Sequence, residues 1–456
     1  MTTPAVRRFH VVGIGGAGMS AIATALKGLG HQVTGSDLKE SAVVERVRAL
    51  GVDVHIGHDA SNLGDAEVVA LSTAIPASNP ELLAARAGGL EILSRAEVLA
   101  QVCATRRTVA VAGSHGKTTT SSMLALILRH SGWHPSFVIG GEVNEVGSGA
   151  VWDSGEWLVV EADESDGTFL GLPREAAIVT SVEPDHLEHW GGVEALVAAF
   201  DRFAAETSGP RVCCSDDLGS ARLAEATGAT TYGQAPEADY RVSQVELGPS
   251  SASFLFTPPE GETQLVHLPV PGLHNVLNAA GALTLALLIG VDQADAVSAI
   301  ARFGGVARRM EFRGERDGIT FVDDYAHLPG EVEAAIAATA AGDWRRIVAV
   351  FQPHRFSRTA SLARDFARSF DGADVVVITE IYPSGEAPRP GVSGKLVVDA
   401  VSAGAGGPSL RGRHPQVVWL PSRLDVAQWL RTNLTSGDVC LTLGAGDLTT
   451  LPSELV

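Results

Sequence analysis

The run Thr108-Val109-Ala110-Val111-Ala112-Gly113-Ser114-His115-Gly116-Lys117-Thr118-Thr119-Thr120 decides the fold of the middle of the chain. An apolar strand leads into a glycine-containing loop, and a helix follows the loop. Backbone N–H groups of such a loop bind phosphates, Lys117 would reach the β and γ oxygens, and the Thr118 hydroxyl would hold Mg²⁺. The first glycine lies three residues before Gly116, so the loop is shorter than the standard pattern. The run predicts a site for ATP and Mg²⁺ with these cofactor-binding candidates: Gly113, Ser114, His115, Gly116, Lys117, Thr118 and Thr119.

Apolar runs alternate with helical patterns on both sides of this loop, which favours a parallel α/β architecture. The 456 residues are enough for about three domains of roughly 150 residues each. We predict boundaries at 1–105, 106–304 and 305–456, with Rossmann-like first and last domains around a central P-loop ATPase-type domain. Tyr232 to Pro271 is richer in Ser, Thr, Gln and Pro, and we predict antiparallel strands there.

Composition excludes several classes of protein. Apolar residues make up 45% of the chain and charged residues 19%, which is typical of a folded protein. The net charge of −19 argues against binding to nucleic acid. The N-terminus does not resemble a signal peptide, and no run of about 18 apolar residues predicts membrane insertion. The four cysteines lack metal-type spacing, so we expect free thiols and a cytoplasmic protein.

A second glycine motif lies near the N-terminus. Gly13-Ile14-Gly15-Gly16-Ala17-Gly18 follows a predicted strand and opens a predicted helix, and Asp37 lies 19 residues after Gly18. This is the fingerprint of a dinucleotide site, with the acidic residue on a ribose. The motif fits NAD and a nucleotide sugar equally well, and a turn that only packs a helix on a strand is the plainer alternative.

Acidic side chains follow two apolar strands of the central region. Trp157–Val160 runs into Glu161–Asp166, and Ile178–Ser181 runs into the segment Glu183–His186. Open α/β sheets bind ligands at the carboxyl ends of their strands, and Mg²⁺ prefers oxygen ligands. These clusters therefore predict a nucleotide–metal site, although a solvated acidic turn would also explain the first of them.

The last third of the chain combines arginine and histidine with strand ends. Asp323-Asp324-Tyr325-Ala326-His327 follows one strand, and Gln352-Pro353-His354-Arg355-Phe356-Ser357-Arg358 follows another. Arg355 and Arg358 are three apart, so they would share a face on the first turn of a helix and could bind a carboxylate or phosphate. A pair of surface arginines is the alternative, and Arg308-Arg309 carries the same ambiguity.

Two phosphate sites in separate domains and a third domain rich in Arg and His indicate an enzyme with three substrates. The ATP-driven joining of a carboxylate to an amine through an acyl phosphate fits this layout. An NAD-dependent oxidoreductase would explain the first site but not the second. A nucleotide-regulated binding protein would need Lys117 but no pair of Glu161 and His186.

These motifs together resemble the Mur ligases of bacterial cell-wall synthesis, and within that family the branch that adds alanine to UDP-N-acetylmuramate. A neighbouring branch attaches a recycled peptide instead. The resemblance covers essentially the whole chain, and Gln352–Arg358 favours the single-amino-acid branch. Its matching segments are Gly13–Ser20, Gly35–Asp37, Ser72–Ile75, Gly113–Thr120, Glu161–Asp166, Glu183–His186, His274–Ala279, Asp323–His327, Gln352–Arg358 and Ile381–Glu386.

The resemblance implies a role for each matching residue, with UDP-N-acetylmuramate, L-alanine and ATP as substrates and a monomer or weak homodimer as the assembly. UDP-N-acetylmuramate would contact Gly15, Gly16, Ala17, Gly18, Asp37, Ser72 and Thr73. Mg²⁺ would bind Thr118, Glu161 and His186, and the nucleotide would also contact His274, Asn278, Arg309 and Asp324. The amino acid and the lactyl carboxylate would meet at Tyr325, His327, His354, Arg355 and Arg358. The implied catalytic set is Lys117, Glu161, His186, His327, Arg355 and Arg358.

The chain departs from the family pattern at a few positions. Ser114 stands where threonine is common, and Leu328 and Gly330 stand where a second histidine and a threonine are usual. Several relatives bridge their metal site with a carbamoylated lysine. No lysine lies between Lys117 and Lys395, as expected for the alanine-adding branch.

Overall fold

The computed structural model describes residues 5–72, 74–248, 250–404 and 414–456. It contains three sheets, of five, ten and six strands, so the expected three-domain α/β fold is confirmed. The residues form two compact units. The first unit is Met1–Ser243, Leu255–Val266 and Leu277–Phe303, and the second is Gln244–Phe254, His267–Val276 and Gly304–Val456.

The first sheet is a five-stranded parallel sheet. Its strands are β1 (Arg8–Val12), β2 (Gln32–Asp37), β3 (Asp53–Ile56), β4 (Val68–Leu71) and β5 (Glu91–Ser94). Its helices are α1 (Ala17–Gly28), α2 (Ala42–Ala49), α3 (Pro80–Ala87) and α4 (Arg95–Cys103), with a 3₁₀ turn at Ala60–Leu63. The order β3-β2-β1-β4-β5 puts the change of winding direction at β1, where open sheets of this kind bind ligands. The N-terminal glycine loop follows β1 directly.

The second sheet has its phosphate-loop strand near the middle. Its strands are β6 (Arg107–Ala112), β7 (Ser136–Val143), β8 (Ser148–Val151), β9 (Trp157–Glu161), β10 (Ala176–Val179), β11 (Arg211–Cys214), β12 (Thr230–Gly233), β13 (Tyr240–Leu247), β14 (Ala252–Thr257) and β15 (Gln264–Leu268). Its helices are α5 (Lys117–His130), α6 (Leu187–Trp190), α7 (Val193–Ala205), α8 (Leu218–Thr227), α9 (Leu273–Leu288) and α10 (Gln293–Ile300), with a 3₁₀ turn at Thr168–Gly171. In the order β15-β14-β13-β12-β11-β10-β6-β9-β7-β8, strand β6 pairs in parallel with β10 and β9. The three strand ends that carry the predicted site are therefore neighbours.

The segment from Tyr232 to Pro271 is not antiparallel throughout, so that prediction was wrong for its first pair of strands. Strand β12 pairs in parallel with β13, with Tyr232 opposite Tyr240. Strands β13, β14 and β15 follow as successive neighbours in the sheet, and their antiparallel pairing stays a prediction.

The third sheet is parallel except for one edge. Its strands are β16 (Glu311–Arg316), β17 (Ile319–Asp324), β18 (Arg346–Phe351), β19 (Val375–Ile378), β20 (Gln416–Trp419) and β21 (Asp438–Leu443). Its helices are α11 (Pro329–Ala340), α12 (Phe356–Leu362), α13 (Lys395–Ala403), α14 (Arg423–Asn433) and α15 (Leu451–Leu455), with 3₁₀ turns at Asp365–Arg368 and Asp447–Thr450. In the order β16-β17-β21-β18-β19-β20, only β16 is antiparallel to its neighbour. The functional candidates follow β17 and β18, on either side of β21.

One buried apolar cluster of the first unit includes residues of both of its sheets. It joins Met19 and Ile22 of α1 to Phe169 and Leu172, which follow β9. Helix α1 comes so close to Trp152 that a side chain at Gly28 would collide with the indole. The second unit instead has one buried cluster on each face of its sheet, one around Phe351 and one around Phe321.

The cysteines and the helices agree with two of the compositional expectations. Cys103, Cys213, Cys214 and Cys440 are buried and free. Within the described part of the chain, no helix is both long and apolar enough to cross a bilayer.

Candidate active site

The N-terminal glycine loop is held in place by the end of β2. The N–H groups of Gly13 and Ile14 donate to the Ser36 carbonyl at 2.8 and 3.0 Å, and the N–H of Gly15 donates to Asp37 Oδ2 at 2.8 Å. Ala17 and Gly18 open α1, where the first N–H groups have no partner within the helix. The amides of Ala17 and Gly18, at the N-terminus of α1, are therefore available to bind an anion.

A cavity of about 580 Å³ lies beside this loop. The predicted residues Gly15, Gly16, Ala17, Gly18, Asp37 and Ser72 line it, whereas Thr73 is outside the described residues. Lys39 and Arg95 also line the cavity, and the sequence analysis missed both. Arg95 directly follows β5, and its Cδ would be 2.9 Å from a Cβ added at Gly18. Two cations beside the loop suit a diphosphate.

The phosphate loop after β6 needs glycine at two positions. Gly113 and Gly116 have φ angles of 133° and 79°, in the region that side chains disfavour. A Cβ at Gly113 would collide with Thr180 Oγ1, and one at Gly116 would collide with Asn278 Oδ1. The predicted nucleotide residue Asn278 therefore lies against the loop, where its Oδ1 also accepts a bond from Thr120 Oγ1 at 3.2 Å.

The other loop residues bind the end of β10. The His115 N–H donates to Ser181 Oγ at 3.0 Å, and Ser114 Oγ accepts the Glu183 N–H at 2.9 Å. Thr119 is buried in the first turn of α5. Serine at position 114 thus fixes the β10 loop through its hydroxyl, a bond that threonine could also make.

Lys117 is largely but not fully buried, with 14% of its side chain exposed, and it is already paired. Its Nζ donates to Glu164 Oε2 at 2.8 Å and Oε1 at 3.1 Å, and to the Gly113 carbonyl at 2.7 Å. Burial lowers the pKa of Lys117, but Glu164, Asp163 and Glu161 outweigh burial and raise it. Lys117 therefore holds a full positive charge at the place where a phosphate would bind. The sequence signal for Glu164 was its place in the acidic run after β9.

Thr118 and Glu161 meet as predicted for a shared ion. Thr118 Oγ1 donates to the Glu161 carboxylate at 3.0 and 3.1 Å. The Gly140 N–H, on β7, also donates to Glu161 Oε2 at 2.7 Å. A Cβ at Gly140 would lie 2.8 Å from that oxygen, so the glycine allows this close approach. Gly140 was not predicted, because β7 carries no motif.

His186 is placed by its neighbour Asp185. Its backbone has a φ of 53°, and its Nε2 lies 3.3 Å from Asp185 Oδ2. Burial raises the pKa of Asp163, but Lys117, hydrogen bonds with Ser165 and, last, His186 outweigh burial and lower it. Among the described residues, no group of three or more His, Cys, Asp or Glu side chains is arranged to hold a metal ion. The predicted set thus shows one close pair, Thr118 and Glu161, with His186 held near the acidic run.

In the second unit, Asp324 ends β17 with its carboxylate buried. It accepts the N–H groups of Met310 and Ala326, each at 2.7 Å. Burial raises the pKa of Asp324 to about 6, although Arg309 lowers it in part. Burial and Arg309 together lower the pKa of His274 to about 4. Three of the predicted nucleotide residues of this unit therefore influence one another electrostatically.

Arg308 and Arg309 have different environments. Arg308 donates to the Gly444 carbonyl at 2.6 Å and its Nε lies 3.4 Å from Asp323, so it fastens the loop after β21. Arg309 lies over the Tyr325 ring at 5.3 Å. Arg308 also lies over that ring, at 4.8 Å, and the role of Arg309 at a phosphate stays a prediction.

An aromatic cluster follows β17 and β18. Tyr325 and His327 pack edge to face at 5.4 Å, His327 and His354 at 5.5 Å, and His354 stacks on Tyr382 at 5.9 Å. Burial lowers the pKa of both histidines, that of His354 to about 3 with help from His327 and the arginines. Both imidazoles are therefore neutral at pH 7. Tyr382 was part of a matching segment but had no predicted role.

Arg355 and Arg358 do not share a helical turn, so that part of the prediction was wrong. Arg355 precedes α12 with a φ of 65°, because its N–H donates to the Tyr382 carbonyl at 2.9 Å. Arg358 lies inside the helix, with Nη1 3.2 Å from His354 Nδ1. Both guanidinium groups nevertheless lower the pKa of His354, so they converge on that ring by another route.

The departure at Leu328 is absorbed by packing and by Glu331. The Leu328 side chain is buried, and Glu331 Oε2 accepts the N–H groups of His327 and Leu328 at 2.9 and 3.2 Å. The His327 ring bonds to the Tyr325 carbonyl at 3.0 Å. The position of His327 is therefore set without a second histidine.

A phosphate loop in one parallel sheet, a glycine loop in another and a sheet with clustered arginine and histidine define a nucleotide-dependent α/β protein of three domains. Three family descriptions match consecutive parts of the chain: "Mur ligase family, catalytic domain" at residues 8–107, "Mur ligase middle domain" at 111–286 and "Mur ligase, glutamate ligase domain" at 308–446. The chain belongs to the Mur ligase family.

Its relatives match along their whole length. A UDP-N-acetylmuramate--L-alanine ligase of Rubrobacter xylanophilus is 45% identical, with 98% of this chain and 99% of that protein covered. A UDP-N-acetylmuramate--L-alanine ligase of Kineococcus radiotolerans is also 45% identical, with 98% of this chain and 95% of that protein covered. The crystal structure of a UDP-N-acetylmuramate-alanine ligase from Thermotoga maritima is 28% identical, covers 98% of both chains and has a TM-score of 0.82.

Proposed function

We propose that this protein is an ATP-dependent ligase that joins L-alanine to the lactyl carboxylate of UDP-N-acetylmuramate for peptidoglycan synthesis. The phosphate loop carries the proposal, because charged Lys117 and the adjoining Thr118–Glu161 pair are what phosphoryl transfer from ATP requires. The similarity to ligases of that name along 98% of the chain supports the choice of substrates.

The residues divide the reaction between them. Lys117 binds the β and γ phosphates of ATP while the γ-phosphoryl group passes to the lactyl carboxylate, giving an acyl phosphate and ADP. The amine of alanine then attacks the acyl carbon, forms the amide and releases phosphate. Arg355 and Arg358 bind carboxylates, and the neutral rings of His327 and His354 add no further positive charge against the incoming ammonium.

Mg²⁺ fits the donors that the first unit offers. The Thr118 hydroxyl and the Glu161 carboxylate supply the oxygen ligands that Mg²⁺ prefers, and His186 is the proposed third ligand. When bound, Mg²⁺ would neutralise charge on the phosphates. Glu161 is held by Gly140 and would orient the ion relative to Lys117.

The remaining assignments follow the same proposal. The glycine loop, Asp37 and Ser72 bind the UDP-sugar, and Lys39 and Arg95 add charge beside it. His274 and Asn278 bind the adenine, Asp324 the ribose and Arg309 a phosphate, while Tyr325 contacts the amino acid. The domain ranges, a cytoplasmic location and a monomer or weak homodimer stay predictions.

Phosphate release tests the proposal directly. The protein is mixed with ATP, Mg²⁺ and UDP-N-acetylmuramate, and single amino acids and then a tripeptide are added in turn. Turnover with L-alanine alone is the expected result, and the Lys117→Ala variant is the matched blank. Turnover only with the tripeptide would move the protein to the peptide-recycling branch, and no turnover with any amine would refute the ligase.

A further inference from the structure

A fully buried carboxylate lies beneath the glycine loop. Glu81 is in the first turn of α3, and its side chain has no exposed surface. Buried acids are rare unless they are paired. Ser36 Oγ donates to Glu81 Oε2 at 2.7 Å, His58 Nδ1 lies 3.1 Å from the same oxygen, and Asn62 Nδ2 donates to Oε1 at 2.6 Å.

The partners of Glu81 come from separate segments of the first sheet. His10 is on β1, Ser36 on β2, His58 follows β3, and Asn62 is in the 3₁₀ turn. His10 Nε2 is buried without a hydrogen bond, 3.8 Å from Glu81 Oε2. Burial raises the pKa of Glu81, but the nearby His10 and the hydrogen bonds from Ser36 and Asn62 outweigh burial and hold it at about 2. The carboxylate is therefore ionised and links four segments.

Ser36 connects this carboxylate to the glycine loop. Its hydroxyl donates to Glu81, while its backbone carbonyl accepts the N–H groups of Gly13 and Ile14. The next residue, Asp37, accepts the Gly15 N–H and, through its carbonyl, the Gly57 N–H at 2.8 Å. The shape of the loop therefore depends on where β2 ends, and Glu81 fixes that end from below.

We propose that Glu81 is a positioning residue for the glycine loop: it fixes Ser36, and Ser36 sets the loop in the shape that binds the diphosphate of the UDP-sugar. The identity of that ligand rests on the proposed function. Glu81 itself touches no ligand, because its side chain has no exposed surface.

The position of Glu81 requires a carboxylate rather than any polar group. Both oxygens of Glu81 accept hydrogen bonds, from Ser36 and His58 on one side and Asn62 on the other. A glutamine of the same shape would turn an NH₂ group toward one side and face a donor there. Glu81→Gln therefore disturbs the loop without leaving a cavity.

Calorimetry with UDP as the probe tests this role on the full-length chain. We expect Glu81→Gln to raise the Kd for UDP about tenfold, which corresponds to about 1.4 kcal/mol, the size of one lost buried hydrogen bond. Affinity for a non-hydrolysable ATP analogue should stay within about twofold of wild type. In steady state, KM for the UDP-sugar should rise while kcat is unchanged.

Glu67→Gln is the matched control. Glu67 precedes β4, at the amino ends of the strands, whereas the glycine loop follows the carboxyl end of β1. Glu67 accepts the Arg8 N–H at 3.0 Å. This variant should bind UDP like wild type. If Glu81→Gln does not fold, Ser36→Ala replaces it, with an expected rise in Kd of about threefold because one donor is lost and the carboxylate stays.

The outcomes separate the two proposals. Unchanged UDP affinity in Glu81→Gln, or in Ser36→Ala if that variant replaces it, would overturn the positioning role. Parallel loss of UDP and ATP-analogue binding, or equal loss in Glu67→Gln, would also overturn it, because either result indicates general destabilisation. Wild-type protein that binds UDP but forms no amide would refute the ligase, while the UDP titrations would still decide the role of Glu81.

Discussion

The phosphate-loop site of the first unit and the aromatic site of the second unit treat buried ionisable groups in opposite ways. The first keeps a buried charge by pairing it, since Lys117 lies 2.8 Å from Glu164. The second largely removes charge from its histidines, since burial lowers the pKa of His354 to about 3 and that of His274 to about 4. Burial also acts against the charged form of Asp324, whose pKa is raised to about 6.

This difference matches the two chemistries that the proposed reaction needs. A site that stabilises transferring phosphate requires a permanent cation, and a partner carboxylate keeps that cation in a buried place. A site that accepts an amine works better with neutral imidazoles, because charged imidazoles beside Arg355 and Arg358 would add to the repulsion of the ammonium form. Each region can be tested by changing how its ionisable groups are paired or neutralised.

Removal of the paired cation should have the largest effect. We expect Lys117→Ala to lower turnover by about a thousandfold or more, because the variant removes the proposed cation for the β and γ oxygens. UDP-sugar binding by calorimetry should be unchanged, since that site is on another sheet. Turnover is measured by the release of phosphate.

The double variant Lys117→Ala with Glu164→Gln is the control for that experiment. In the single variant Glu164 is left buried without its partner, which can destabilise the fold. If the double variant is as stable as wild type but as inactive as Lys117→Ala, the loss of turnover comes from the missing lysine and not from misfolding. Equal loss of turnover and UDP-sugar binding would contradict the separation of the two sites.

The pH dependence of stability should reveal the raised pKa of Asp324. The pKa of Asp324 is about 6 in the folded protein, above its ordinary value of 3.8, so the folded state holds the proton more tightly. Its contribution to stability is present below about pH 4 and is lost as pH rises through about 6. A shift of about two pKa units corresponds to about 3 kcal/mol.

Asp324→Asn isolates this contribution. Denaturant unfolding of both proteins at a series of pH values should show that the wild type loses stability relative to the variant between about pH 4 and pH 7. Buried histidines change the stability of both proteins equally, so the difference belongs to Asp324. A constant difference across that range would refute the raised pKa.

Truncation of an arginine in the aromatic site should affect one substrate only. We expect Arg358→Ala to lower kcat/KM for alanine about tenfold to a hundredfold. The variant removes a guanidinium that is proposed to bind a substrate carboxylate and that contacts His354 Nδ1. ATP affinity should not change. The exposed Arg364, six residues further along the chain, is the matched control. A change confined to ATP would show that Arg358 is misplaced.

The smallest expected effect comes from removing the partner of Lys117 alone. In the wild type, a phosphate must displace the Glu164 carboxylate from Lys117. Glu164→Gln removes that competition, so an ATP analogue should bind about fivefold more tightly. Asp166→Asn, at an exposed acid of the same run, should bind it like wild type. Weaker binding in Glu164→Gln would mean that Glu164 holds the loop in its binding shape.

The sequence predicted the buried strands and the motif-bearing loops well for a physical reason. Strands such as β6 and β18 lie inside parallel sheets, so both faces are apolar and the run is continuous. Two strands at or next to a sheet edge were missed: β7, beside the edge strand β8, contains two glycines, and the edge strand β16 reads Glu-Phe-Arg-Gly-Glu-Arg, so neither has a continuous apolar pattern. The parallel pairing of β12 with β13 was also missed, because local composition does not determine pairing.

Site residues with a motif were predicted, and those that act through distant contacts were not. Thr118 and Glu161 meet as expected from strand ends on one sheet edge. Lys39, Arg95 and Gly140 carry no motif, and only the packing of separate strands brings them to the site. Arg355 was expected on a helix, but a bond to the Tyr382 carbonyl holds its backbone outside α12.

The shared apolar cluster of the first unit has a consequence for how the polypeptide is assembled. The match to the first family domain ends at residue 107, and the match to the middle domain begins at residue 111. Met19 and Ile22 are nevertheless buried in the same cluster as Phe169 and Leu172. A polypeptide released at that boundary during synthesis would leave part of this cluster open to water. The first sheet thus reaches its full burial only after the ribosome has added the central sheet.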